Sequence, residues 1–366
     1  MTNDSRWEID HQCPQCGAPV VLDETDRILA CPYCRTKLYL IQEDGFRYFI
    51  PPGKEIAGRK MYYLPYWRVK GSHFCFRDQQ VQFRFIDVSR KALPIPMIPQ
   101  SLGLRPQAMK LRFLTPETQG IFLAPQEKAL DSMLSSEEST AVSKADFIGE
   151  IISLIYTPVY LEAQTLYDAV TNRPLTNMNH PDLLNNLKRM DPVKSAKIRF
   201  LPTLCPQCGW NLEGEKDALS LGCNNCHTLW QCRQDCLEKL AFTLSASASP
   251  ADLYLPFWRM KIKAEGFAVD TCADLIRLAN LPKVTTPELA STPLYFWSPA
   301  FKINPALYLR WTRSMTISQP MVAEDSNTAS LPIQSFYPVT LPLSEALEGV
   351  RMNIGQLLVD KKKLLS

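Results

Sequence analysis

The sequence predicts a mainly β protein with some α+β character, built as two homologous halves. Each half is a small four-cysteine module followed by a β-rich domain. Three observations predict this. Proline is frequent, at 29 of 366 residues, and it fits poorly inside helices and central strands, so short strands joined by turns are expected. Apolar and polar residues alternate along the main segments. In VQFRF (81–85), Val81, Phe83 and Phe85 share one face and Gln82 and Arg84 the other, the pattern of a half-buried strand. Finally, the order of motifs repeats. CPQCG begins at Cys13 and again at Cys205 (205 − 13 = 192), and YLPYWRVK (63–70) returns as YLPFWRMK (254–261; 254 − 63 = 191). Two markers in the same order at nearly the same offset indicate an internal duplication.

The elements follow in order. The first cysteine module occupies 1–45 and the first β-rich domain 46–176. A linker at 177–203 joins the halves and carries a short helix from Pro181 to Met190. The second module occupies 204–244 and the second β-rich domain 245–366. Polar stretches at 135–146, 245–252 and 323–330 read as loops. The segments after Pro106 and Pro305 fit either a strand or a short helix that starts at the proline. The most apolar run, IISLIYTPVYL (151–161), is too short to span a membrane and is interrupted by Pro158. No transmembrane segment is therefore expected. The opening residues, MTNDSRWEID, lack the apolar run of a secretory signal. Twelve cysteines in such a chain are expected to bind metal or stay reduced, which places it in the cytoplasm.

Eight of those cysteines carry the clearest chemistry. Cys13, Cys16, Cys31 and Cys34 form one set, and Cys205, Cys208, Cys223 and Cys226 the other. Both read C-x2-C, fourteen residues, C-x2-C. Two cysteines at this spacing make a tight knuckle that offers two sulfurs to one ion, and Gly17 and Gly209 stand where the backbone must turn with positive φ. The arrangement resembles the zinc ribbon, the small β module of transcription factors, RNA polymerase subunits and the primosomal helicase. The two-half plan resembles bacterial tandem zinc-ribbon proteins. The resemblance implies two structural zinc ions per chain, each closed by four thiolates. Iron in a rubredoxin-like site is the alternative, since a tetrahedral four-thiolate set suits either metal. Cys75, Cys232, Cys236 and Cys272 remain. Aligning the halves sets His227 opposite Arg35, Cys232 opposite Leu40 and Cys236 opposite Asp44, so a larger cluster is not expected.

The second repeated motif mixes aromatics and bases. In an extended segment Arg68 and Lys70 share one face and Trp67 and Val69 the other. The plain expectation buries the tryptophan and leaves the bases in solvent. The sharper one makes Trp67, Arg68, Lys70, Trp258, Arg259 and Lys261 a partner surface for an acidic or nucleic-acid ligand. Charge speaks against nucleic acid as the main partner. The chain carries only +3, residues 11–40 sum to 3 − 3 = 0 and residues 205–236 to 2 − 4 = −2. No phosphate loop, dinucleotide fingerprint or nucleophile elbow occurs, and no catalytic residue is expected. The sequence thus points to a non-enzymatic zinc-binding adaptor or scaffold subunit that engages protein partners in a cytoplasmic complex. A nucleic-acid-binding protein is the alternative.

Overall fold

The computed structural model describes residues 7–364 except 42–44, 57, 78–79, 104–109, 127–144, 179–182, 193–197, 234, 246–252, 264–268 and 323–334. The expected loops at 135–144, 246–252 and 323–330 therefore lie outside the described residues. The chain is mainly β. It divides into two units, one of residues 1–71, 86–140 and 149–202, the other of 72–85, 141–148 and 203–366.

Among the described residues, thirteen strands precede residue 203. They are β1 (Glu8–Gln12), β2 (Pro19–Asp23), β3 (Ile28–Ala30), β4 (Lys37–Ile41), β5 (Arg47–Phe49), β6 (Met61–Arg77), β7 (Gln80–Lys91), β8 (Leu111–Phe113), β9 (Ile121–Phe122), β10 (Ala145–Glu162), β11 (Thr165–Asp168), β12 (Arg173–Asn177) and β13 (Arg199–Pro202). Helix α1 (Leu183–Asn186) lies between β12 and β13. Ten of these strands make one sheet, ordered β12-β11-β10-β5-β8-β1-β2, with β6 pairing β10, β7 and β9. A smaller sheet is ordered β13-β4-β3.

Strands are longer than the proline content predicts. β6 has 17 residues and β10 has 18, and they run straight through Pro65 and Pro158. A proline removes only a donor from the ladder. Its carbonyl still accepts: Pro65 O takes the amide of Ala92 at 2.9 Å and Pro158 O that of Ala169 at 3.0 Å. The segment after Pro106 resolves as the strand β8, whose Leu111 and Phe113 are buried and Arg112 exposed. In β7, Phe83 and Phe85 do share a face, but they are 37% and 68% exposed. Alternation reports the pleat, not what covers it.

The first cysteine module is not a separate body. β1 pairs in parallel with β8, Ile9 against Leu111, and so joins the large sheet. Cys13 and Cys31 sit in the same core as Leu22, Leu29, Tyr48, Leu111 and Ile155. Described residues of the expected linker, 177–203, contribute to the fold. β13 pairs antiparallel with β4 (Arg199 opposite Ile41, Pro202 opposite Leu38), and Phe200 stacks on His11 with ring centres 5.2 Å apart. Burial pushes the His11 imidazole pKa down. Asn185 of α1 accepts from the Tyr62 hydroxyl at 2.7 Å, and Met190 donates its amide to Phe122 at 2.8 Å.

After residue 203 come β14 (Leu212–Glu213), β15 (Ser220–Cys223), β16 (Thr228–Arg233) and β17 (Cys236–Leu240), one antiparallel sheet in that order. β18 (Phe257–Met260) pairs antiparallel with β19 (Phe296–Pro299). The helices are α2 (Cys272–Leu278), α3 (Pro287–Ser291), α4 (Pro305–Ser318) and α5 (Leu343–Leu364). Residues 245–366 are thus richer in helix than the sequence predicts. Local capping explains it. Thr271 and Asp274 form a reciprocal capping box on α2, and Thr286 caps α3 with proline in its first turn. Asn304 accepts the amide of Ala306 ahead of Pro305, which settles the segment after Pro305 as helix. α5 packs Ala346 and Val350 against Met260, Leu275 and Phe296.

The sequence expectation for β6 also reverses. Arg68 has 0% exposure, whereas Trp67 and Lys70 are half-buried. Both faces of β6 are covered, Tyr62, Leu64 and Tyr66 by one core and Tyr63 and Trp67 by another, so no face is left for bases in solvent. Arg68 Nε and Nη2 donate to Glu24 at 3.1 and 2.9 Å, and Nη1 donates to Asp87. The guanidinium carbon also lies 4.1 Å over the Trp7 ring. A buried cation needs such partners, because unpaired it would forfeit several kcal/mol of hydration. Burial pushes the Glu24 carboxyl up, opposed by Arg68, and the two carboxylates hold Arg68 protonated against its own desolvation. Arg68→Met strands Glu24 without its cation. We expect it to lower the unfolding free energy by about 3–5 kcal/mol in urea denaturation of the metal-loaded chain, and Arg68→Met with Glu24→Leu to recover much of that loss.

Candidate metal centres and the aromatic-basic strands

Each cysteine set is assembled from two turns of one design. The amide of the residue after each knuckle bonds back to the carbonyl of its first cysteine. Gly17 reaches Cys13 at 2.8 Å, Arg35 reaches Cys31 at 3.0 Å, Gly209 reaches Cys205 at 2.8 Å and His227 reaches Cys223 at 2.9 Å. That turn demands left-handed backbone, and φ is +74° at Gly17, +60° at Arg35, +73° at Gly209 and +53° at His227. Glycine takes it freely at the first knuckle of each set, while Arg35 and His227 hold it against the steric preference of a side chain.

The turns bring all eight sulfurs into place. In each set the four Sγ atoms lie within 4.8 Å of one another. Cys13 and Cys34 are 3.7 Å apart, Cys16 and Cys31 3.7 Å, Cys205 and Cys226 3.6 Å, and Cys208 and Cys223 3.4 Å. These separations exclude disulfides, whose sulfurs sit about 2.05 Å apart. A tetrahedron with metal–sulfur bonds of about 2.3 Å has edges of about 3.8 Å, so both sets fit such an ion. Each set buries two sulfurs, Cys13 with Cys31 and Cys205 with Cys223. Cys16, Cys34 and Cys208 are exposed and Cys226 is half-buried. Both sets can therefore hold a metal ion. Among the described residues no other group of three or more His, Cys, Asp or Glu converges on a common point, and Cys75, Cys232, Cys236, Cys272 and His227 stay outside the two sets.

The sulfurs are surrounded by donors that sequence reading missed. Thr36 Oγ1 lies 3.3 Å from Cys34 Sγ, and Thr228 Oγ1 lies 3.0 Å from Cys226 Sγ. The signal was present, since threonine stands two residues after the last cysteine of both sets. Trp230 Nε1 donates to Thr228 Oγ1 at 2.8 Å, so the hydroxyl hydrogen is free for sulfur. The place of Trp230 in the first set belongs to Leu38 (230 − 38 = 192), which has no donor. The Thr36 hydroxyl and amide pull the Cys34 thiol down to about 6, and the Asn225 side chain and Trp210 amide do the same for Cys208. Hydrogen bonds to the charged form favour the thiolate at these two positions, while burial and the neighbouring thiols push Cys16 and Cys223 up to about 12.

The two aromatic-basic strands differ. Arg68 is consumed by Glu24 and Asp87, as described above. The residue 192 positions after Glu24 is Lys216, which cannot pair with an arginine. Arg259 is exposed, with its guanidinium carbon 3.7 Å over the Tyr295 ring and 5.8 Å from the centre of the Trp297 ring. Trp258 is half-buried and donates its Nε1 hydrogen to Leu341 O at 2.9 Å, and Lys261 is exposed.

No protein-family model, curated protein or solved structure matches the chain. Two outcomes test the centres. Cys13→Ser and Cys205→Ser should each reduce bound metal from two ions per chain to one by elemental analysis. Thr228→Val should weaken metal binding at the second centre by about tenfold or more in competition with a chelator, and leave the first unchanged.

Proposed function

We propose that the chain is a non-enzymatic zinc-binding adaptor, in which two structural zinc ions hold surfaces that engage protein partners in a cytoplasmic complex. The observation that carries this reading is the closure of both metal sets. Four protein sulfurs surround each centre, which leaves no position for a substrate or an activated water. Zinc is preferred to iron on the resemblance of the cysteine spacing to zinc ribbons, since the tetrathiolate geometry itself suits either ion. Cysteines that are all free suit a reducing compartment. No helix among the described residues is long and apolar enough to cross a membrane.

The near-neutral charge supports a protein partner over nucleic acid. Residues 203–366 hold 15 Lys and Arg against 15 Asp and Glu, so 15 − 15 = 0. The nucleic-acid reading rested on two aromatic-basic strands, and the burial of Arg68 leaves it only the second.

Elemental analysis of protein purified from cells supplied with both metals should find two zinc ions per chain, and an excess of iron would overturn the metal assignment. Crosslinking in those cells should recover the chain joined to other proteins. Recovery of the chain alone would remove the adaptor role.

A further inference from the structure

The half-to-half difference at Arg68 and Arg259 points to where a partner docks. In the first half the strand's arginine is neutralised internally. In the second, the carboxylate is replaced by Lys216, and Arg259 lies on the surface against Tyr295. Arg259 and Lys261 make no ion pair among the described residues. Within the two segments themselves, residues 253–263 and 293–301 hold the bases Arg259, Lys261 and Lys263 and no Asp or Glu. The patch is therefore a local concentration of positive charge in an otherwise neutral half.

Its chemistry is more specific than charge. A guanidinium stacked on a ring is held in one plane and shielded on one side, which leaves its N–H edge free for a bidentate carboxylate. Register places Arg259 opposite Trp297 on the β18–β19 pair, so the two side chains share a face. Phe257 lies on that same face two residues back, half-buried, with its ring centre 6.3 Å from that of Trp311. Phe257 and Arg259 are thus neighbours on one face of the strand, about 7 Å apart.

We propose that this face, around Arg259 on β18 and Tyr295 and Trp297 beside it, binds an extended segment of a partner protein in which an Asp or Glu and an apolar side chain stand two residues apart and so share one face. Carboxylates meet Arg259 and Lys261, and the apolar side chains meet Phe257 and Trp311. The proposal rests on the adaptor reading and names its partner's chemistry. A nucleic acid is the weaker fit, because three bases in a neutral half offer few phosphate contacts.

The test uses the full-length chain as purified from cells and a labelled synthetic peptide in which Asp or Glu and Phe or Leu stand two residues apart, followed by fluorescence anisotropy. The same peptide with lysine in place of the acids and a single-stranded oligonucleotide are run in parallel. Binding of the acidic peptide alone is expected. It should weaken about tenfold or more in Arg259→Ala, less in Arg259→Lys, and stay unchanged in Lys239→Ala on β17. Equal binding by wild type and Arg259→Ala, or displacement of the peptide by the oligonucleotide, would overturn the proposal. Zinc content of the same samples separates the two readings. Two zinc ions per chain with no peptide binding sinks the docking face and leaves the metal centres standing. Peptide binding that depends on Arg259 in a chain holding iron supports the face and sinks the zinc assignment.

Discussion

A guanidinium with no exposure to water constrains the whole first unit. Arg68 can be buried only where carboxylates and a ring meet it, and those come from three other places in the chain. Trp7 precedes β1, Glu24 follows β2 and Asp87 lies on β7. One charge therefore sets how the first cysteine hairpin sits against the long strand β6. The same requirement explains why that hairpin belongs to the core of the unit. Cys13 and Cys31 share a core with residues from β5, β8 and β10, so the first metal centre and the large sheet are one packing problem.

The second half keeps the motif and drops the constraint. With Lys216 where Glu24 stands in the first half, the arginine of the repeated strand has no carboxylate to enter the interior with, and it rests on Tyr295 instead. The packing that Arg68 organises in the first unit is replaced by a two-stranded pair flanked by capped helices. Two strands of similar sequence thus hold the arginine differently, buried against carboxylates in one and stacked on an exposed ring in the other.

Much of the metal chemistry was legible in the sequence, because a knuckle is a local structure. Two cysteines at fixed spacing and a glycine after them specify a turn within five residues, and Gly17 and Gly209 adopt the left-handed backbone that this requires. The mainly β character was legible for the same reason, through alternation. What lay beyond reach depends on distant contacts. Nothing near Arg68 reveals Glu24, which lies 44 residues away, and without that partner a base in an amphipathic strand is rightly expected in solvent. Nor does a polar segment such as 177–203 reveal that its last residues complete a sheet begun at residue 28. Of the helices after residue 270, only the one at Pro305 was open to a sequence reading, and there a proline alone does not decide between strand and helix, whereas the Asn304 cap does.

The pairing of β13 with β4 has a consequence for synthesis. Arg199 lies opposite Ile41, a separation of 199 − 41 = 158 residues. At about 5–20 residues per second, β4 emerges from the ribosome roughly 8–30 s before its partner strand. During that interval the first cysteine set can already close on its ion, but one edge of its hairpin is open, with unpaired amides and carbonyls of the kind that recruit other chains. The second set has no such wait, because β14 to β17 are consecutive hairpin neighbours. The module that is translated first is therefore the one that waits longest for its last strand.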